Sequence, residues 1–186
     1  MDARQAVAMT AHEFLAWETA QPGRHEFVNG EVFAMAGGDD RHMTVAGNVY
    51  IALRQRLQGS GCSAYLGEVR TWISAANCYF YPDVFVTCSE RDRADRLHKQ
   101  DPLLVVEVLS PSTAAFDRGA KFAAYRLAES LREMVFIDPE RRVTDVYRKG
   151  DDGLWVLHPF APTEAVHLAS VDLALPPATL WAEVGA

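Results

Sequence analysis

Apolar and polar positions change their period several times along the chain, and each change marks an element. Thr10 and Glu13 have the spacing of a capping box, and Phe14, Leu15 and Trp17 supply the buried positions of the short helix that follows. Residues 25–28 and 31–35 flank Asn29-Gly30, a dipeptide that readily takes the positive φ angles of a two-residue turn, which predicts a β-hairpin. From about residue 40 to 57, Met43, Ala46, Val49, Tyr50, Leu53 and Leu57 recur at helical spacing, and Gly59-Ser60-Gly61 ends the run. Residues 63–68, 69–73 and 79–87 are rich in aromatic and β-branched side chains and predict strands. Residues 103–109 form a nearly unbroken apolar run, suited to a strand buried on both faces, with one charge in it, Glu107. Ser110-Pro111-Ser112-Thr113 stops that strand and offers hydroxyl caps to a helix with Phe116, Ala120, Ala123, Leu127 and Leu131 on one face. Residues 134–137, 143–147 and 154–157 read as an antiparallel meander, and 166–181 adds strand or edge material with Pro176-Pro177 as a stop.

Composition adds limits to this picture. The chain has 186 residues, 49% hydrophobic and 23% charged, which suits one domain over residues 1–186 with a substantial core. No apolar run approaches the roughly 20 residues that span a bilayer, and residues 1–9 lack the basic start and apolar centre of a signal peptide. A cytoplasmic protein without a membrane partner is expected. Cys62, Cys78 and Cys88 are odd in number, widely spaced and in no CxxC arrangement, so free, mostly buried thiols are expected. The net charge of −7 argues against a protein that coats nucleic acid non-specifically. It leaves a nuclease open, because a divalent cation reverses the local sign of an acidic pocket. The densest basic stretch, Arg91, Arg93, Arg96, His98 and Lys99, is interleaved with Asp92, Asp95 and Asp101 and reads as a solvated loop. The four tryptophans are too dispersed for a base-stacking platform and are assigned to packing.

Four residues carry the candidate chemistry. An ionised Glu107 in so apolar a strand needs a cation or metal to compensate it. Asp83 begins another hydrophobic strand after Pro82, and two carboxylates on neighbouring strands can converge as hard oxygen ligands for Mg²⁺. Asp117 and Lys121 stand four apart on the next helix and share a face, which serves equally well an ordinary surface ion pair or a lysine directed at a metal pocket.

Tyr81-Pro82-Asp83-Val84 followed by Val106-Glu107-Val108-Leu109-Ser110-Pro111-Ser112-Thr113 resembles a bacterial family of restriction-endonuclease-like proteins in the PD-(D/E)XK nuclease superfamily. The likeness extends to His25-Glu26-Phe27-Val28-Asn29-Gly30-Glu31, His42, Asp117, Lys121, Tyr125 and Ile137-Asp138-Pro139. It implies an α/β (α+β) fold, a mixed central sheet flanked by helices, with the N-terminal hairpin and C-terminal antiparallel strands added. It also implies Mg²⁺ or Mn²⁺ held by Asp83, Glu107 and the Val108 carbonyl, and a lysine acting on water or the transition state. The parent motif has that lysine two positions after the glutamate, where this chain has Leu109, and the family pattern moves it to Lys121. Glu26 and His42 are secondary candidates for completing the site, against a cross-strand pair for Glu26 and a hydrogen-bonded helix-start residue for His42. Asp117 is expected to orient Lys121 or cap the helix, and Glu68 to face solvent.

The expected function is metal-dependent hydrolysis of DNA phosphodiester bonds, with a homodimer supplying two sites for two strands. The alternatives are a non-catalytic nuclease-fold scaffold that binds nucleic acid or protein, and a metal hydrolase of another phosphate ester. On this reading, Lys99→Ala weakens only substrate binding.

Overall fold

Pro82 divides the stretch 79–87, which the hydrophobic pattern predicts as one strand, into two strands that belong to different sheets. The computed structural model describes residues 4–5, 9–35 and 37–185. In chain order it has β1 (Arg4–Gln5), α1 (Ala11–Glu18), β2 (His25–Val28), β3 (Glu31–Ala34), α2 (Asp40–Arg56) and β4 (Ser63–Leu66). β5 (Arg70–Ile73), β6 (Cys78–Phe80), β7 (Val84–Thr87), α3 (Glu90–Ala94), β8 (His98–Lys99) and β9 (Pro102–Val108) follow. One helix then runs in three pieces, α4 (Ala114–Phe116), a π-helical turn (Asp117–Lys121) and α5 (Phe122–Tyr125). The chain closes with β10 (Glu133–Asp138), β11 (Val143–Lys149), β12 (Trp155–Phe160), β13 (Val166–Leu168), β14 (Leu173–Leu175) and α6 (Pro177–Leu180).

The central sheet has the order β12-β11-β10-β9-β7-β4 and is mixed: β9 and β10 are parallel, the other neighbours antiparallel. The predicted N-terminal hairpin forms as β2 and β3, with Asn29 and Gly30 both at positive φ, 48° and 100°. It does not stand alone. β6, β5 and β8 extend it into a second sheet, β1-β3-β2-β6-β5-β8, so the middle strands are shared between the two sheets. The tail forms a small hairpin, β13-β14, which ends at Leu175 just before Pro176-Pro177 as the sequence predicts, and Pro177 also starts α6, since the first helical turn needs no N–H from it.

Period-two alternation along β9 sorts its side chains. Leu104, Val106 and Val108 pack with Val45, Val49 and Leu53 of α2 on one face of the central sheet. Val105 and Leu109 join Phe122, Tyr125 and Phe136 on the other, the face covered by the 114–125 helix. Glu107 falls between Val105 and Leu109 and shares their face. Leu109 is itself buried in the aromatic cluster, so a lysine there would have to displace core packing.

Three expectations are corrected. The β4–β7 register pairs Ser63 with Thr87, which brings Cys62 and Cys88 opposite each other one step further on, and they form a disulfide with Cα atoms 4.0 Å apart. Only Cys78 is a free, buried thiol. Sequence spacing carried no trace of this because strand pairing creates the proximity. The stretch 90–101 is not uniformly solvated: Asp92 and Lys99 are buried. Lys99 Nζ donates to the carbonyls of Asp92 and Asp95 and lies over the Tyr65 ring, so Lys99→Ala removes a structural contact. Ser110 and Thr113 hydrogen-bond to each other through their hydroxyls, and no side chain caps α4.

Candidate active site

The seam between the two sheets opens into a cavity of about 730 Å³ that brings together residues far apart in the chain. Asp83 stands at the break after β6, immediately before β7. The β7–β9 register, Val84 opposite Val106, extends to put Asp83 across from Glu107. Val108 N donates to Asp83 Oδ2 at 2.7 Å, and His42 Nε2 donates to Asp83 Oδ1 at 2.8 Å from the first turn of α2. Asp39 caps that helix by accepting from His42 N, which fixes where the imidazole enters.

Lys121 projects from the π-helical turn onto the same spot. Its Nζ is 2.9 Å from Glu26 Oε1, 2.9 Å from Glu107 Oε1 and 3.6 Å from Asp117 Oδ1. Glu26 Oε1 and Glu107 Oε1 are buried and meet no donor besides that ammonium. Glu107 is 3% and Lys121 4% exposed. A wider π turn in an otherwise α-helical run shifts the side chains after it around the axis, and such turns recur at functional sites. The surface-pair alternative for Asp117 and Lys121 is therefore excluded by burial, as is an exposed cross-strand pair for Glu26. Glu68 is exposed, pairs with Arg24 at 3.1 Å, and touches only the rim of the cavity.

The electrostatics follow from packing four carboxyl groups around one ammonium and one imidazole. Burial pushes the Glu107 carboxyl well above its usual range; Lys121 draws it back, and Asp117, Asp83 and Glu26 push it further up. Burial likewise raises Glu26 and Asp117 against the pull of Lys121. For Lys121, burial favours the neutral amine, but Glu107, Glu26 and Asp117 outweigh it and hold the ammonium well above the ordinary lysine value. For His42, burial lowers and the Asp83 hydrogen bond and charge raise, with a net rise. Even with His42 protonated, the pocket has two more carboxylates than cations.

That excess suits a divalent cation. Among the described residues no three His, Cys, Asp or Glu side chains form a ready metal cage. Mg²⁺, however, needs only one or two carboxylates, with water and phosphate completing its shell. Each Asp83 oxygen accepts one hydrogen bond and keeps further acceptor capacity, Glu107 Oε1 meets only the Lys121 ammonium, and Val108 also lines the cavity.

Sequence reasoning named Tyr81 only as part of the motif and did not find Glu18 or Arg70; all three line the same cavity. Glu18 accepts from His25 N and Tyr81 Oη and pairs with His25 Nδ1 at 2.9 Å. Its burial arises where α1 meets β2, a contact that helical periodicity alone does not announce. Tyr125 lies beneath Lys121's neighbourhood, with its hydroxyl 2.8 Å from Thr71 Oγ1.

Comparison with known proteins agrees with this geometry. Two proteins of Synechocystis sp. are similar along most of their length: slr1290 is 34% identical over 166 residues, 89% of this chain and 87% of its own. The second, sll1609, is 32% identical over 151 residues, 80% of this chain and 85% of its own. The crystal structure of a "putative nuclease belonging to DUF820" from Anabaena variabilis has the same fold, with a TM-score of 0.76 at 18% identity, covering 93% of this chain and 97% of that one. The model of the family Uma2, described as "putative restriction endonuclease", matches residues 11–181, and the chain belongs to that nuclease family.

Proposed function

We propose that this protein is a divalent-metal-dependent endonuclease that hydrolyses phosphodiester bonds of DNA. The observation that carries the reading is the buried ion cluster in which Lys121 Nζ sits 2.9 Å from both Glu26 and Glu107, in a cavity that also holds Asp83. Asp83, Glu107 and the Val108 carbonyl are the groups that would hold Mg²⁺ or Mn²⁺. Such an ion, when bound, lowers the pKa of water and offsets negative charge on the reacting phosphate.

The chain's own residues divide the remaining work. Lys121, kept protonated by three carboxylates, serves as a fixed positive charge and hydrogen-bond donor toward attacking water and toward charge building on the phosphate. Glu26 and Asp117 position its ammonium, and His42 with Val108 N fixes the Asp83 carboxylate. The missing lysine at position 109 does not weigh against activity, because Lys121 reaches Glu107 from the helix that covers the same sheet face. Cutting both strands of a duplex together calls for two such sites, hence two copies.

The test is cleavage of supercoiled plasmid and single-stranded DNA with Mg²⁺ or Mn²⁺, comparing wild type with identically prepared Asp83→Ala. Nicking by wild type alone is expected. Equal nicking by both, or by neither with any divalent metal, overturns the reading.

A further inference from the structure

Arg70, at the start of β5, is 9% exposed, yet no carboxylate pairs with it and no hydrogen bond engages its guanidinium among the described residues. Its nitrogens are not among the buried atoms left without a partner, so they meet solvent at the cavity, where their donors stay open to a ligand. The other cations of the cavity wall are satisfied: Lys121 by its carboxylates, and Arg24 by Glu68 and the Gly67 carbonyl at 2.6 Å. Arg70 has only the Tyr81 ring, with Cζ 5.9 Å from its centroid, a contact that offsets part of the desolvation. Glu18, an acid lining the same cavity, is already occupied by His25 and Tyr81. Tyr79, Tyr81 and His98, the titratable groups that feel the charge of Arg70, are neutral partners at neutral pH.

The placement of this cation is specific. The β5–β6 register, Thr71 opposite Phe80, extends to set Arg70 across from Tyr81, and Asp83 follows Tyr81 after Pro82. Arg70 and the Asp83–Glu107 cluster line one cavity, with the cation on the β5 wall and the carboxylates at the seam. A guanidinium presents paired N–H donors that match two oxygens of a phosphate. We propose that Arg70 is a phosphate-binding residue, holding a phosphate of the substrate next to the one that reacts at Asp83 and Glu107. The second half of that statement rests on the nuclease reading; the phosphate site itself does not. The acidic seam repels a polyanion until a metal is bound, so a buried cation beside it gives the strand one attractive contact and sets its register in the cavity.

The experiment uses the full chain as wild type, Arg70→Gln and Arg70→Lys, with two probes. A short fluorescein-labelled deoxyoligonucleotide is followed by anisotropy with Ca²⁺, and inorganic phosphate by calorimetry in EDTA. Unfolding temperature is recorded for each variant. Arg70→Gln is expected to weaken oligonucleotide binding about tenfold and to reduce the slope of log affinity against log salt by about one. Arg70→Lys, which keeps the charge and loses the paired donors, is expected to fall between the two at a wild-type unfolding temperature, a pattern that a purely structural arginine does not give. If Arg70→Gln does not fold, Arg70→Lys carries the test by the same criterion. Arg70-dependent binding of phosphate without binding of the oligonucleotide keeps the site and assigns it to a small phosphorylated ligand. Arg70-dependent oligonucleotide binding by a wild type that never cleaves DNA keeps the site and removes the nuclease reading. Unchanged binding in both variants, or no binding of either probe by wild type, overturns the proposal.

Discussion

Two buried lysines in this molecule have opposite surroundings. Lys99 is held by the backbone carbonyls of Asp92 and Asp95 and lies 5.0 Å from the Tyr65 ring centroid. The carboxylate beside it, Asp92, accepts from Thr87 Oγ1 at 2.7 Å, Gln100 N at 2.7 Å and Asp101 N at 3.0 Å. Every buried polar atom in that cluster has a partner, and the cluster needs nothing further. Lys121 instead faces three carboxylates across a cavity, and two of their oxygens have no donor besides that ammonium. Burial and charge are common to both clusters. The difference lies in saturation: a closed cluster fixes a loop, while an open one with excess negative charge keeps capacity for a cation and a substrate.

The comparison breaks first at Glu107. Glu107→Gln removes a carboxylate from a crowded acidic site, so cleavage should fall on the order of a thousandfold while unfolding free energy stays level or rises. Plasmid nicking and urea titration on one preparation check both halves, and a stable variant that still cuts contradicts the contrast. Lys99→Met should do the reverse. Two buried carbonyls lose their donor, stability should drop by about 3 kcal/mol, and cleavage per folded molecule should persist. Tyr125→Phe is a finer probe, removing one neutral buried hydrogen bond to Thr71. A loss of about 1 kcal/mol in chemical denaturation is expected. The smallest effect belongs to Arg24→Ala at the cavity rim, where an exposed pair with Glu68 is broken and stability should change by less than about 0.5 kcal/mol.

Much of the fold is legible in the residues. The capping box at Thr10 and Glu13 forms, the Asn29-Gly30 turn takes positive φ angles, and α2 runs from Asp40 to Arg56 as its apolar spacing predicts. Local chemistry sets these elements, so local sequence reports them. The division of strand 79–87 was less legible, because only tertiary pairing decides that β6 joins the hairpin sheet and β7 the central one. The Cys62–Cys88 disulfide and the buried Lys99 were missed for the same reason: both depend on register between distant segments. In the site, Glu107 was conspicuous as one charge in an apolar strand, and the family resemblance pointed to Asp83, Lys121, Glu26 and His42. The structure brings all five to one cavity. Arg70 and Glu18 carried no motif and became visible only through burial and the presence or absence of partners.

On the proposed mechanism Lys121, placed by a π-helical turn, does the work of the lysine absent from position 109. Lys121→Ala, prepared alongside wild type and assayed on supercoiled plasmid with Mn²⁺ and Mg²⁺, tests it most directly, with folding confirmed by circular dichroism. The account predicts a folded variant whose nicking rate is lower by about a hundredfold or more. A folded Lys121→Ala that nicks at the wild-type rate contradicts it.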